Sequence, residues 1–183
     1  MAIEPVLFPD LEGPEFVRSS EVADVADLVL DRHGRAGGIG ALKATREALV
    51  DGAISIAYLL NTKPFDPLKD DVTHDAIAKC VKAPALWHDV TGLHGAIWIR
   101  SYFWDQFDEK ARAGVVLHEL LHLQVAEDED GQVKLRLRKH DVEEFIHVVR
   151  HYGAYVPGRK ALVEAYGLWE QDGGDPPKPK AVR

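Results

Sequence analysis

His118-Glu119-Leu120-Leu121-His122 sets two imidazoles and a carboxylate at the HExxH spacing. On a helix, residues four apart lie one turn above each other, so His118 and His122 point at one place in space. Two neutral imidazoles suit Zn²⁺, and Glu119 stands beside that place without having to bind the ion. A carboxylate so placed can take a proton from a water that the ion activates. The chemistry this permits is hydrolysis with Zn²⁺ as cofactor. The plainer alternative is a core helix with two hydrogen-bonded histidines and a Glu in solvent. Two imidazoles buried side by side without a metal are hard to satisfy, which favours the ion.

A catalytic tetrahedral zinc takes three protein ligands and leaves a position for water. Candidates for the third cluster in Lys139-His140-Asp141-Val142-Glu143-Glu144-Phe145-Ile146-His147, with His151 just beyond. Asp141-x-x-Glu144 reads as a capping box that starts a helix at Val142 and leaves His140 at its entrance. Val142, Phe145, Ile146 and Val149 form the apolar face of that helix, and Glu144, His147 and His151 lie opposite. His140 is therefore the preferred third ligand. Asp141, Glu143 and Glu144 stand as carboxylate alternatives, in the manner of gluzincins. The metzincin pattern fails, because it needs Gly and His where the chain has Val125 and Asp128.

The order HELLH, a polar turn, then KHDVEEF and RHYG resembles the metallopeptidases encoded by bacteriophages and prophages. More distantly it is similar to SprT-like zincins, whose HExxH helix is followed by a His opening a helix that carries a Phe. The resemblance covers roughly residues 76 to 155. It implies His118, His122 and His140 as zinc ligands, Glu119 as general base, and Phe145 packing the second helix under the site. Asp141 departs from the small residue usual after the third His, and is read as capping the helix or orienting an imidazole. The implied activity is zinc-dependent hydrolysis of peptide bonds in a peptide or protein substrate. A zinc-binding interaction or regulatory module without hydrolysis is the alternative, and the intact Glu119 weighs against it. Tyr152, Tyr155, His147 and Arg150 are the candidates for stabilising an oxyanion.

These residues need elements to carry them. Asp108 suits an N-cap, and from there to Ala126 only Gly114 interrupts a helical pattern that Val115, Val116, Leu120, Leu121 and Leu123 make apolar. Residues 95–103, rich in β-branched and aromatic side chains, predict a strand. The resemblance places it on the cleft edge, where an extended substrate can add as a further strand. Ala76–Lys82 also alternates as a strand. So does the run over 132–138, alternating at Val133, Leu135 and Leu137, so that the basic stripe of Lys134, Arg136, Arg138 and Lys139 reads as a strand's wet face rather than a nucleic-acid patch. Helices are expected from Ser20 to near Gly34 and from Leu42 to Val50. Helical periodicity continues from Ala53 to Leu60 and stops at Asn61-Thr62-Lys63-Pro64. Residues 83–91 read as a turn of helix or as irregular.

Residues 1–18, with Pro5, Pro9 and Pro14, read as an extended segment, 19–170 as one domain and 171–183 as a disordered tail. The expected class is α+β and zincin-like, mostly helical with a small sheet packed beside the HExxH helix. A length of 183 residues suits that single core, and the net charge of −8 disfavours stable nucleic-acid binding. No apolar run reaches membrane-spanning length, and Met1–Pro5 lacks the features of a signal peptide. With Cys80 as the only cysteine, a small buried apolar residue by preference, the expectation is a cytoplasmic protein. Gly34, Gly37, Gly38 and Gly40 complete no phosphate-loop pattern and read as a turn. Glu127–Gly131 fails as a calcium loop and reads as an acidic turn. His88 and His94 read as loop or surface histidines.

Overall fold

The computed structural model describes residues 15–66, 77–127, 133–140, 148 and 151–152. In chain order the elements are β1 (Phe16–Arg18), α1 (Ser20–His33), α2 (Gly40–Val50), β2 (Ile56–Asn61), β3 (Ala78–Lys82), α3 (Ala85–Thr91), β4 (Gly95–Arg100), α4 (Ser101–Trp104), α5 (Glu109–His122), β5 (Leu123–Glu127) and β6 (Val133–Leu137). The expected capping box at Asp141–Glu144, the acidic turn beyond Glu127 and the 171–183 tail lie outside the described residues.

β4 sits inside a four-stranded sheet of order β1-β2-β4-β3. It pairs parallel with β2, Ile56 opposite Gly95, and antiparallel with β3, Ala78 opposite Ile99. The pleat sends alternate side chains to opposite faces. Ile97 and Ile99 join the main core with Leu117, Leu120 and Leu121 of α5. Ala96 and Trp98 face the other way, packing with Ala57, Leu59 and Leu93. Phe16 meets Trp98 edge-on there, with ring centroids 5.9 Å apart. Burial on both faces is why β4 is apolar from Gly95 to Ile99.

Three expectations change. The strand read over 95–103 ends at Arg100, and Ser101–Trp104 turn helical. Both edges of β4 are paired, so its backbone groups are used and no extended substrate can add along it. Ala53–Leu60, read as helix, instead supplies β2. An apolar run this short fits either period, and pairing with β1 on one side and β4 on the other decides for the strand. Phe16–Arg18, at the end of the segment read as extended, form an edge strand paired antiparallel with Leu59–Asn61, and residues 1–14 lie outside the described residues.

α1 begins where Ser19 accepts the Val22 N–H on its hydroxyl and ends at Gly34. The glycine-rich segment is the turn into α2. A Cβ on Gly38 would stand 2.2 Å from the His33 carbonyl oxygen, so the close approach needs glycine. α1 packs against α5 and α2, while α2 also packs against β5. Among the described residues no helix is long and apolar enough to cross a membrane.

Candidate metal centre

Asp108 caps α5 by accepting the Ala111 N–H at 2.7 Å, and Glu109 adds a second acid to the first turn. Every residue from Gly114 to Leu121 is buried, so the helix runs through the core rather than along the surface. One turn separates His118 from His122, and their Nε2 atoms lie 3.3 Å apart. His118 is 0% exposed and Glu119 is 1% exposed, while His122 is half-buried.

The helical pattern read on to Ala126 is cut short at His122. Leu123 is extended, with ψ 115°, and starts β5. The cause is the hairpin: Leu123 lies opposite Leu137 and Val125 opposite Leu135, with Leu123 and Leu135 buried. A continued helix could make neither that ladder nor that burial.

The hairpin also orients the second histidine. Arg138 donates its N–H to the His122 carbonyl at 2.7 Å. In an antiparallel ladder such a pair exchanges two bonds. His122 is still helical, so its backbone N–H faces the preceding turn. Its ring stands in for that group, with Nδ1–H donating to the Arg138 carbonyl at 2.7 Å. In a neutral ring this places the proton on Nδ1 and the lone pair on Nε2. Two residues past Arg138, His140 brings its Nε2 to 2.9 Å from that of His118 and 3.1 Å from that of His122.

Protons alone do not account for this triangle. Each hydrogen bond needs one donor and one acceptor, and no distribution of protons over three nitrogens turns all three contacts into hydrogen bonds. A tetrahedral ion with bonds to nitrogen of about 2.0–2.1 Å holds its ligand atoms about 3.3 Å apart, close to these spacings. His118, His122 and His140 together could hold a metal ion. Glu119 lies in the same buried turn, next to Cys80 of β3. Burial, and then the Glu119 charge, push the Cys80 thiol well above its ordinary range, so Glu119 faces a neutral thiol.

The remaining candidates divide. Asp141, Glu143, Glu144, Phe145, His147, Arg150 and Tyr155 lie outside the described residues. Tyr152 is buried with its hydroxyl 3.0 Å from the His33 Nε2, which engages it at the end of α1. His151 is exposed, with its ring centroid 4.6 Å from that of His33. His88 and His94 are a pair, their Nε2 atoms 3.2 Å apart, joining α3 to the start of β4. Sequence reasoning missed Arg138, which acts through its backbone. The available signal was the strand pattern read up to Arg138, which sets His140 just beyond a ladder.

A family model described as "Putative phage metallopeptidase" matches residues 14–167. No curated protein and no solved structure matches the chain.

Proposed function

The chain belongs to this phage metallopeptidase family, and on that premise we propose that it is a zinc-dependent peptidase of the zincin type. His118, His122 and His140 hold the ion, and Glu119 is the general base. One observation carries the reading: three imidazole Nε2 atoms converge within 3.3 Å of one another, beside a buried carboxylate one residue from the first ligand.

Bound zinc would acidify a water to near neutrality and polarise the substrate carbonyl. Glu119 takes the proton of the attacking water as it adds to the carbonyl carbon, then delivers that proton to the leaving amine. The carboxylate ends as it began, and the peptide bond is replaced by an acid and an amine. Burial of Glu119 keeps bulk water from competing for the proton. The Arg138 carbonyl holds the His122 ring in one orientation and one tautomer. Three protein ligands leave a position for water, whereas a closed structural site takes four. Among the described residues three side chains could hold the ion, which favours the peptidase over a non-catalytic zinc module.

The test pairs metal analysis with digestion of a protein substrate read by mass spectrometry. The chain purified without chelators should carry one zinc. Glu119→Gln should retain it while cleavage falls by about 10²–10⁴-fold, the usual contribution of a general base. Cleavage by Glu119→Gln at the parent rate removes the base assignment, and absence of stoichiometric metal from the parent removes the centre.

A further inference from the structure

Thr45 is fully buried on α2. Its Oγ1 lies 3.2 Å from two carbonyl oxygens, that of Ala41 one turn earlier and that of Leu123, 78 positions along the chain. The hydroxyl has one proton to give. The Ala41 carbonyl is already the acceptor for the Thr45 backbone N–H in the helix. The Leu123 carbonyl has no such partner within the hairpin. Because His122 and Arg138 form the bonded pair, the adjacent Leu123–Leu137 pair turns its backbone groups away from the opposite strand. The proton therefore belongs on the Leu123 carbonyl.

We propose that Thr45 is a positioning residue for the metal centre, pinning the carbonyl that follows ligand His122 at the point where α5 breaks into β5. The inference rests on the reading of His118, His122 and His140 as ligands. The orientation of the Leu123 peptide sets where β5 begins, and β5 sets the register of β6. β6 in turn leads to the Arg138 carbonyl that orients His122 and carries His140 two residues on. A side chain on α2, far from the HExxH segment in sequence, thus governs how two of the three ligands meet the first.

Zinc affinity, measured by competition with a chromophoric chelator, and urea unfolding of the metal-free chain test this on the parent, Thr45→Val and Thr45→Ser. Valine fills the space without a donor, and serine keeps the donor. Thr45→Val should bind zinc about tenfold more weakly, the lower end of the loss seen when a group that orients a ligand is removed. Thr45→Ser should restore most of that affinity. Parent-like affinity in Thr45→Val overturns the proposal even if the metal-free chain is less stable, since the hydroxyl then serves the fold alone. A Thr45→Val chain that stays unfolded in excess zinc overturns it too, as does a loss that serine does not restore. Parent affinity left unchanged by His118→Ala fails differently: it removes the ligand reading itself, whatever Thr45 does.

Discussion

His140 is where the metal reading is most exposed to test, because it arrives from outside the motif. Its Nε2 lies within 3.1 Å of both motif histidines, and removing it leaves two ligands on one helix. Loss of a group that merely orients a ligand costs about 10–100-fold in affinity, so His140→Ala should cost more than about 100-fold. Asp141→Asn, Glu143→Gln and Glu144→Gln should each leave zinc affinity within reach of the parent in the same chelator competition. A large loss in one of these with little in His140→Ala would hand the third position to a carboxylate. At this scale much of the candidate site was legible. HExxH spacing on a helix leaves few ways to arrange two imidazoles, and His140, the preferred third candidate, is the ring that meets them. The Arg138 carbonyl and the Thr45 hydroxyl were not legible, for a physical reason. Every residue has a carbonyl, and which one meets a ring nitrogen depends on a register that only the folded hairpin supplies.

Among the elements, the starts of α1 and α5 were the most readable features. Ser19 and Asp108 are short polar side chains that accept an orphan N–H in the first turn, a local interaction that needs no tertiary partner. Asp108→Ala should therefore cost about 1 kcal/mol, lowering the melting temperature by about 2–4 °C for a chain of this size. His118 lies about 15 Å further along the helix axis, so zinc affinity should not change. A fall in affinity alongside stability would show that the cap and the centre are coupled through α5. The end of α5 was unreadable by the same logic, since no Gly or Pro marks Leu123 and the break is imposed by pairing with β6. β2 was misread because Ile56–Leu60 is apolar on both faces, leaving no polar stripe to reveal a period of two. The place of β4 in the sheet is likewise a property of its neighbours. Its composition announces burial, and burial on both faces belongs to a central strand more than to an edge.

At the scale of the whole molecule, α3 is held differently from the other described helices. It buries none of its residues, and Leu86 and Val90 stand largely exposed on it. Polar contacts tie it to the sheet. The His88 and His94 Nε2 atoms meet at 3.2 Å, Ser55 donates its N–H to the His94 Nδ1 at 3.1 Å, and Ala83 donates to the His94 carbonyl at 2.9 Å. Protonating His94 turns its Nδ1 from an acceptor into a donor facing another donor. Burial, and then the charge of His88, hold that ring below its ordinary value of 6.5, against a smaller upward pull from the Gly92 carbonyl. The native state then binds fewer protons than the unfolded chain. The stability this contributes is present above 6.5 and is lost as the pH falls through the lower folded value. The metal-free chain should accordingly show a urea midpoint that falls as the pH is lowered below 6.5. Working without metal removes proton competition at the ligand histidines. His94→Asn keeps an oxygen that can accept the Ser55 N–H but cannot take up a proton, so its midpoint should fall less steeply over the same range. Equal slopes in the two chains would move the pH dependence to the other histidines and leave the α3 contact a pH-independent one.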